Sequence, residues 1–493
     1  MEMNLMHYCS LFPLFIFICF LCKLIFSSSS PKDTRTSPPS PPKLPIVGHL
    51  LQLGSHPHRY FHQLSNKYGP LMLLHFGSVP VLVASSPTAA SEIMKDHDLI
   101  FSDRPKSSIT DRLFYGSKDV AFAPYGEYWR QVRSICVLHL LSNKRVQSFR
   151  NVREEETQLM VQKIKQSCGS LVNLSDILMW FSNNIICRVA LGRKYSDDEN
   201  GKKDMNPLIG EVYKMLGMFD IGDYIPWLAW VNRINGFDGR VKKLAKELDE
   251  FFEAVIEEHS LVNKKEEDGL DLVDILLQIQ RENTIGFPIH RDSVKALILD
   301  MFAAGTHTIY TVLEWTMAEL IKNPKTMEKL QNEVITKFKT NEDLETMQYL
   351  KAVIKESLRL HIPVPLLAPR KASQDVKVMG FNVKTGTQVL VNSWAIGRDP
   401  KIWENPEEFK PERFLNSNVD YKGMHFELIP FGAGRRGCPG VAFGVIVLEL
   451  AIATLLCEFD FALGKEELDM RESIGLTCHK EVPLFVIATP RVG

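Results

Sequence analysis

The sequence predicts a mainly α-helical protein with small β-sheets and a membrane-spanning helix at its N-terminus. The 493-residue chain is 45% hydrophobic and 24% charged, which is the composition of a packed globular protein. Helical periodicity dominates the body of the chain, and two short stretches read as strands around glycine turns. A nearly continuous apolar run lies close to the first residue.

The apolar run extends from Leu5 to Phe26, and at ~1.5 Å per residue it spans roughly the hydrocarbon of a bilayer. A cleavable signal peptide is the alternative, but no small-x-small site closes the run and no basic segment precedes it. Lys32, Arg35 and Lys43 follow it, so the positive-inside rule places the later residues in the cytosol. We therefore expect residues 1–30 to form a signal anchor.

Residues 31–48 are rich in serine and proline, which form linkers and not cores. Residues 49–493 are then left as one large domain. Its 58 basic and 59 acidic residues nearly cancel, which argues against a nucleic-acid binder because such proteins need a basic excess. Nine cysteines, an odd number, indicate no disulfide framework and fit a reducing cytosol.

Two stretches predict paired strands. Leu71–Ser86 surrounds a turn at Gly77, and Lys377–Asn392 has turns at Gly380 and Gly386. The other strongly periodic stretches predict helices over Thr88–Leu99, Ser148–Gln166, Val241–Ser260, Arg291–Lys322 and Thr326–Phe338.

The longest predicted helix, Arg291–Lys322, ends where Pro324 stops it. Its middle is apolar on nearly all sides, so we expect it to cross the protein interior. A polar patch interrupts that middle at Gly305, Thr306, His307 and Thr308, and the glycine costs ~1 kcal/mol relative to alanine. The patch is either a functional site or a satisfied buried histidine beside a threonine bonded to its own helix.

A glycine-rich loop near the C-terminus, Pro430–Gly440, reads PFGAGRRGCPG. Its glycines permit left-handed backbone angles and close approach to a ligand. Free N–H groups in such a loop stabilise a thiolate at Cys438, and Arg435 and Arg436 offer forked donors to carboxylates. A thiolate with carboxylate-binding arginines meets the requirements for holding haem by its iron and its propionates.

The same loop also matches a dinucleotide fingerprint through Gly432, Gly434 and Gly437. Two bulky arginines stand where a pyrophosphate would approach, and Pro439 interrupts the start of the following helix. No βαβ series accompanies the loop. A nucleotide-binding fold is therefore disfavoured.

The loop resembles the haem-binding signature of the cytochrome P450 superfamily, carried here by Phe431, Gly434, Arg436, Cys438 and Gly440. The family's other motifs occur in order. These are Trp129-x-x-x-Arg133, Ala304-Gly305-x-x-Thr308, Glu356-x-x-Arg359, Pro369-Arg370 and Pro411-Glu412-Arg413-Phe414. The resemblance covers the whole chain and is similar in style to plant microsomal monooxygenases of family 71.

The resemblance implies a single haem-thiolate domain over residues 49–493 that binds haem b, with Cys438 as the axial ligand of the iron. It also implies that Glu356, Arg359 and Arg413 form a buried structural network. The cofactor-binding residues implied are Trp129, Arg133, Arg370, Phe431, Gly432, Arg436, Cys438 and Gly440.

The resemblance further implies NADPH–cytochrome P450 reductase and O2 as partners, a small hydrophobic substrate, and contact with membrane lipid through the N-terminal helix. The domain is expected to face the cytosol from the endoplasmic reticulum. Substrate walls are expected from Ser107–Tyr125, Leu297–Thr306, Pro363–Ala368 and Ser473–Cys478, including the side chains Phe114, Phe122, Val364, Leu367 and Leu476. Such apolar and aromatic walls suit a terpenoid, alkaloid or phenolic skeleton.

One departure from the family pattern concerns proton delivery. The family carries an acid before the threonine and a small hydroxyl after it, whereas His307 and Ile309 flank Thr308 here. We expect Thr308 and His307 to be the catalytic pair, because an imidazole also relays protons. A haem-thiolate isomerase or dehydratase without NADPH, and a non-catalytic haem-binding protein, are the alternatives.

Overall fold

The computed structural model describes residues 36–195, 206–261, 269–282, 287–464, 467–473 and 475–491. The expected anchor at residues 1–30 and the first part of the expected linker lie outside the described residues. Within the described part, the body is mainly helical with small sheets, as the sequence predicts.

Helices make up most of the described body, and several of them enclose Arg291–Lys322, which we call the central helix. The α-helices are Pro57–Tyr68, Pro87–Ser91, Ser108–Leu113, Glu127–Ile135, Asn143–Ser148, Arg150–Lys165, Leu174–Leu191, Asn206–Leu216, Ile221–Tyr224, Val231–Ile234, Phe237–Leu261, Leu272–Glu282, Arg291–Lys322, Pro324–Lys337, Gln348–Leu360, Ser393–Ile396 and Val441–Glu458. The shorter 3₁₀ and π segments are Leu50–Gln52, Glu92–Asp96, Cys136–Leu140, Pro226–Leu228, Asn341–Thr346, Pro411–Phe414 and Gly434–Arg436.

The strands form three small sheets. They are β1 (Leu71–Phe76), β2 (Val79–Ala84), β3 (Leu171–Asn173), β4 (Arg370–Lys371), β5 (Val376–Val378), β6 (Phe381–Val383), β7 (Gln388–Val391), β8 (Phe459–Leu463) and β9 (Phe485–Pro490). The sheet orders are β1-β2-β7-β4, β3-β9-β8 and β5-β6. Only the β2–β7 pair is parallel among the described ladders.

Both predicted strand pairs are present, with one correction. The hairpin β1–β2 turns at Gly77, where φ is +56°, and β5–β6 turns at Gly380. The third strand of the second stretch, β7, does not continue that hairpin. It pairs with β2 and β4 instead, because its buried valines, Val389 and Val391, complete the larger sheet.

The central helix has the predicted bounds and a largely buried surface. It packs mainly on the helix Leu174–Leu191. Gly305 permits this approach, since a Cβ there would stand 2.5 Å from Ile186 Cδ1. Packing against Ile186 therefore gives Gly305 a structural role. The sequence alone had left open whether this glycine was structural or functional.

Two helices in the described residues are long and apolar enough to cross a membrane, the central helix and Val441–Glu458. Of their most apolar windows, 67% and 61% are buried inside the protein. Burial against the protein's own core accounts for the apolar composition of both.

A buried ion network ties the helix Gln348–Leu360 to the segment before the cysteine loop. Glu356 accepts from Arg359 Nε and Nη2, both at 2.8 Å, and from Arg413 Nε at 2.9 Å. Arg359 also donates to the carbonyls of Gly397, Pro406 and Glu408. The predicted triad is confirmed as a structural network in which each buried charge is paired.

A second buried pair gives the fold a pH dependence. His259 Nε2 lies 3.1 Å from Asp271 Oδ2, and Nδ1 lies 2.8 Å from the Val255 carbonyl. Burial opposes the charged imidazole, but Asp271 and the Val255 carbonyl outweigh it and raise the pKa of His259.

The raised pKa predicts how this pair acts on stability. A histidine with a raised folded-state pKa stabilises the fold fully below its unfolded pKa and loses that contribution as the pH rises through its folded value. We therefore expect His259→Gln to lower the melting temperature more at roughly pH 5.5 than at roughly pH 8.5. Thermal unfolding of both proteins at each pH measures this difference. An equal loss at both values would contradict the pairing.

Candidate active site

The cysteine loop presents Cys438 just before the helix Val441–Glu458. Gly432 and Gly434 both have φ of +67°, and a Cβ on Gly434 would collide with the Met94 carbonyl and the Asp98 carboxylate. The Cys438 N–H donates to the Phe431 carbonyl at 2.9 Å. These constraints give the loop a single shape, and the glycines are required for it.

Cys438 is the exposed cysteine among those in the described residues, although protein surrounds it at longer range. Burial raises the pKa of its thiol, while the Gly440 N–H, 3.3 Å from Sγ, and the Arg133 charge lower it. Both lowering groups favour a thiolate, and a metal cation would offset the remaining desolvation cost. The donor set fits a thiolate ligand for iron.

Arg133 reaches this loop from another helix, and Arg436 extends from the loop itself. Arg133, on the helix Glu127–Ile135, donates from Nη2 to the Gly437 carbonyl at 2.6 Å. Arg436 donates to the carbonyls of Ser102, Val120 and Ala123 and stacks on Trp129, with Cζ 4.1 Å from the ring centroid. Trp129 Nε1 donates to Val120 O at 3.0 Å.

Arg370 and Arg104 complete an arginine cluster with Arg133 and Arg436. Arg370 donates to the Ala433 carbonyl at 2.7 Å and pairs with Asp98 at 3.2 Å. Arg104 donates to the carbonyls of Ala121, Ala368 and Pro369. The role of Arg104 was not predicted from the sequence, because no local pattern distinguishes Arg104 from an arginine on the surface.

The arginine cluster carries more positive charge than nearby acids neutralise. Burial is the largest cause that lowers the pKa of each of its four members. Arg370 and Arg133 add to this effect at Arg436, whose pKa falls to about 10. Anionic carboxylates placed here would restore the balance, so the cluster fits the propionates of haem.

A pair of buried acids, Asp119 and Asp300, fixes the segment that carries Val120. Asp300 accepts from the Val120 N–H at 2.6 Å, and Asp119 accepts from the Phe122 N–H at 2.8 Å. Burial raises the pKa of Asp119 to about 6, and burial together with Asp119 raises that of Asp300. The pair positions the Val120 carbonyl, which accepts a hydrogen bond from Trp129. The pair was not predicted from the sequence, because the two acids are distant along the chain.

Thr308 lies in the middle of the central helix, one turn after Ala304. Ala304 is exposed and Thr308 is half-buried. Its hydroxyl donates back to the Ala304 carbonyl at 2.6 Å. This bond keeps the hydroxyl near the exposed stretch, where it can be exchanged for another partner. This bond is the structural alternative that the sequence left open, and the catalytic role of Thr308 stays a prediction.

His307 faces a different set of neighbours. Its ring lies against that of Tyr213 in the helix Asn206–Leu216, with centroids 3.7 Å apart and the ring planes tilted by 37°. Burial and the charge of His479 lower the pKa of His307 to about 4. Among the described residues no hydrogen bond joins the His307 ring to Thr308, and Nδ1 is buried without a partner. The imidazole is neutral at physiological pH.

The expected substrate walls are partly hidden in the core. The rings of Phe114 and Phe122 lie 5.5 Å apart, with Phe114 1% exposed. Phe122, Val364, Leu367 and Leu476 are half-buried. Their role in substrate binding stays a prediction.

A thiolate loop facing a cluster of buried arginines defines the class of haem-thiolate proteins. The sequence matches the family Cytochrome P450 over residues 38–485. Norfluorocurarine oxidase from Strychnos sp is 56% identical, with 97% of each chain covered. Cytochrome P450 71A2 from Solanum melongena is 55% identical over 99% of this chain and 100% of its own.

Two further comparisons agree. The (+)-menthofuran synthase of Mentha piperita is 53% identical over 94% of this chain and 95% of its own. A zebra fish cytochrome P450 solved with abiraterone superposes with a TM-score of 0.75 at 30% identity, covering 89% and 99%. The chain belongs to the cytochrome P450 family and is a haem-dependent monooxygenase similar to plant enzymes of family 71.

Proposed function

We propose that this monooxygenase oxidises a small hydrophobic plant specialised metabolite, with O2 and with electrons from NADPH–cytochrome P450 reductase. The observation that carries the proposal is the exposed Cys438 thiol beside the buried arginine cluster. We expect a terpenoid, alkaloid or phenolic substrate, and the names of two relatives, Norfluorocurarine oxidase and (+)-menthofuran synthase, support an alkaloid or a terpenoid.

Haem binding is assigned to the residues of the cysteine loop and the arginine cluster. Cys438 would supply the thiolate that holds the haem iron, and Phe431, Gly432 and Gly440 would shape the loop around it. Arg133, Arg370 and Arg436 would hold the propionates, because each guanidinium has five N–H donors and the bonds to protein carbonyls leave some of them available. Trp129, whose one N–H is bonded to the Val120 carbonyl, would act by packing against Arg436. When bound, the haem supplies the activation of dioxygen, for which its thiolate ligand provides electron density.

Proton delivery is assigned to Thr308 and His307. The Thr308 hydroxyl exchanges its helix carbonyl for a partner on the substrate side and passes a proton there. His307, as a neutral imidazole, accepts a proton on one ring nitrogen and releases one from the other. The contact with the Tyr213 ring, at a centroid distance of 3.7 Å, limits how the imidazole can turn.

Replacing Thr308 by alanine tests this assignment. We expect Thr308→Ala to raise the peroxide released per NADPH consumed and to lower product formation by on the order of 10²-fold. Thr308→Ser should keep the coupling because it keeps the hydroxyl. Product and peroxide measured from the same reaction give the coupling ratio.

Thr316 provides a matched control in the same helix. Its hydroxyl donates to the Val312 carbonyl at 2.7 Å, as Thr308 donates to Ala304. Thr316→Ala removes the same kind of bond away from the exposed stretch, so it should leave coupling unchanged. Uncoupling by both alanine variants would show a general effect of the helix and would contradict the relay role.

Residues 1–30 are proposed to anchor the protein in the endoplasmic reticulum membrane, with residues 31–48 as a linker and residues 49–493 as the catalytic domain facing the cytosol. The apolar run and the basic residues behind it support this arrangement. In this arrangement, the protein would meet both the membrane lipid and the reductase at the cytosolic surface of the membrane.

An isomerase or dehydratase is the second candidate, because His307 replaces the usual acid. An untargeted metabolite screen of microsomes that contain this protein and the reductase, with and without NADPH, distinguishes the two. Product that requires NADPH supports the oxidation of a hydrophobic metabolite. Product formed without NADPH or reductase would assign the protein to the second class.

A further inference from the structure

His307 belongs to a cluster of aromatic and imidazole rings with Tyr213, Tyr310 and His479. His307 lies 3.7 Å from Tyr213, 6.2 Å from Tyr310 and 6.5 Å from His479, measured between ring centroids. Tyr310 and His479 are 5.8 Å apart. Titratable rings from the helix Asn206–Leu216, from the central helix and from the C-terminal loop therefore lie close together around His307.

The two tyrosine hydroxyls of this cluster are already used. Tyr213 donates to the Ala303 carbonyl, and Tyr310 donates to Glu314 Oε1 at 2.9 Å. Burial raises the pKa of both phenols above the usual value, so neither gives up its proton readily. The imidazoles are the groups that can exchange protons.

His479 is held in a defined orientation by the C-terminal loop. Its Nδ1 lies 2.8 Å from the Lys480 carbonyl, which only accepts, so Nδ1 carries a proton. The loop is fastened to the central helix by Lys480 N–H to Glu314 Oε2 at 3.0 Å and by Trp315 Nε1 to Cys478 O at 2.8 Å. The second nitrogen of His479 is thereby left for another partner.

His479 lies near a buried acid and is open to solvent. Glu314 is fully buried and close enough that His479 helps to hold down the pKa of its carboxyl, which burial raises. The Lys480 ammonium points elsewhere, to the Asp469 carbonyl. His479 is also half-buried and not fully enclosed, so it can exchange protons with solvent.

We propose that His479 supplies protons to His307, an inference that rests on the proposed role of His307 in proton delivery. His479 takes up a proton from solvent on its second nitrogen and passes it to a nitrogen of His307, directly after a ring rotation or through one water. His307 releases the proton of its other nitrogen towards Thr308. Both rings are then neutral again, and rotation of the His307 ring returns its remaining proton to the starting position.

His479→Gln tests the inference, because glutamine keeps a hydrogen-bonding side chain and does not titrate. We expect product formation to fall by on the order of tenfold, with more peroxide per NADPH and a larger solvent deuterium isotope effect. The affinity for substrate and the melting temperature should stay unchanged, which a merely structural role would not predict. His479→Asp should restore part of the coupling.

A matched control and a double variant complete the test. His290→Gln changes an exposed histidine at the start of the same central helix and should leave coupling unchanged. The pair His307→Ala and His479→Gln should be less than additive, because both residues serve one path. In the unaltered enzyme, the rate of product formation is measured in mixtures of H2O and D2O. Its plot against the fraction of D2O, the proton inventory, should be curved.

The outcomes separate this inference from the proposal on which it rests. Normal coupling in His479→Gln, with uncoupling in His307→Ala, would overturn the role of His479 and leave that of His307. Normal coupling in both variants would overturn both roles. A linear proton inventory in the unaltered enzyme would contradict a path through two imidazoles even where a variant fails to fold.

Discussion

Cys438→His is expected to abolish the red-shifted absorption band that carbon monoxide gives with reduced, thiolate-ligated haem. Imidazole replaces a charged, electron-donating sulfur by a neutral nitrogen. The loop also has its N–H at Gly440 and the charge of Arg133 arranged for an anion. Product formation should be lost with the band.

The control for this expectation is Cys457→Ser. Cys457 is half-buried in the helix that follows the cysteine loop, so its removal tests the general sensitivity of the chain to loss of a thiol. The band should persist in Cys457→Ser. An unchanged band in Cys438→His would remove Cys438 from the site, whatever the activity of the variant.

The second large effect is expected at Glu356. Glu356→Ala leaves the buried guanidinium of Arg359 without a carboxylate, and Arg413 loses the same partner. Breaking a buried ion pair from one side costs about 3–5 kcal/mol. We therefore expect loss of folded, haem-binding protein at growth temperature, measured as the yield of the carbon monoxide band and as the melting temperature.

An exposed ion pair serves as the comparison for Glu356. Lys384 and Asp375 lie 2.7 Å apart with most of both side chains in solvent. Such pairs contribute little to stability, so Lys384→Ala should leave the melting temperature nearly unchanged. A loss at Glu356 no greater than at Lys384 would contradict the structural role of the network.

Sequence reasoning predicted those parts of the fold that local pattern determines. The central helix and the hairpin around Gly77 follow from apolar periodicity, glycine and proline. The network of Glu356, Arg359 and Arg413 followed from recognised motifs, since Arg413 is distant along the chain from the other two residues. Residues 1–30 lie outside the described residues, so the anchor stays a prediction.

Sequence reasoning did not reach features that depend on contacts between distant segments. Arg104 acquires its importance only when residues 121 and 368–369 surround it. Tyr213 meets His307 across about ninety positions of chain, which no spacing rule predicts. The function of Gly305 was left open for the same reason, because its packing partner Ile186 belongs to another helix.

The measurement that tests the central claim most directly is the origin of the oxygen in the product. Microsomes with this protein and the reductase are supplied with NADPH and isotopically labelled ¹⁸O2, and the product is analysed by mass spectrometry. The thiolate site and the Thr308 relay predict one labelled oxygen atom incorporated per oxygenation, with no incorporation in Cys438→His. Product that forms without O2 and NADPH would contradict a monooxygenase reaction at this site.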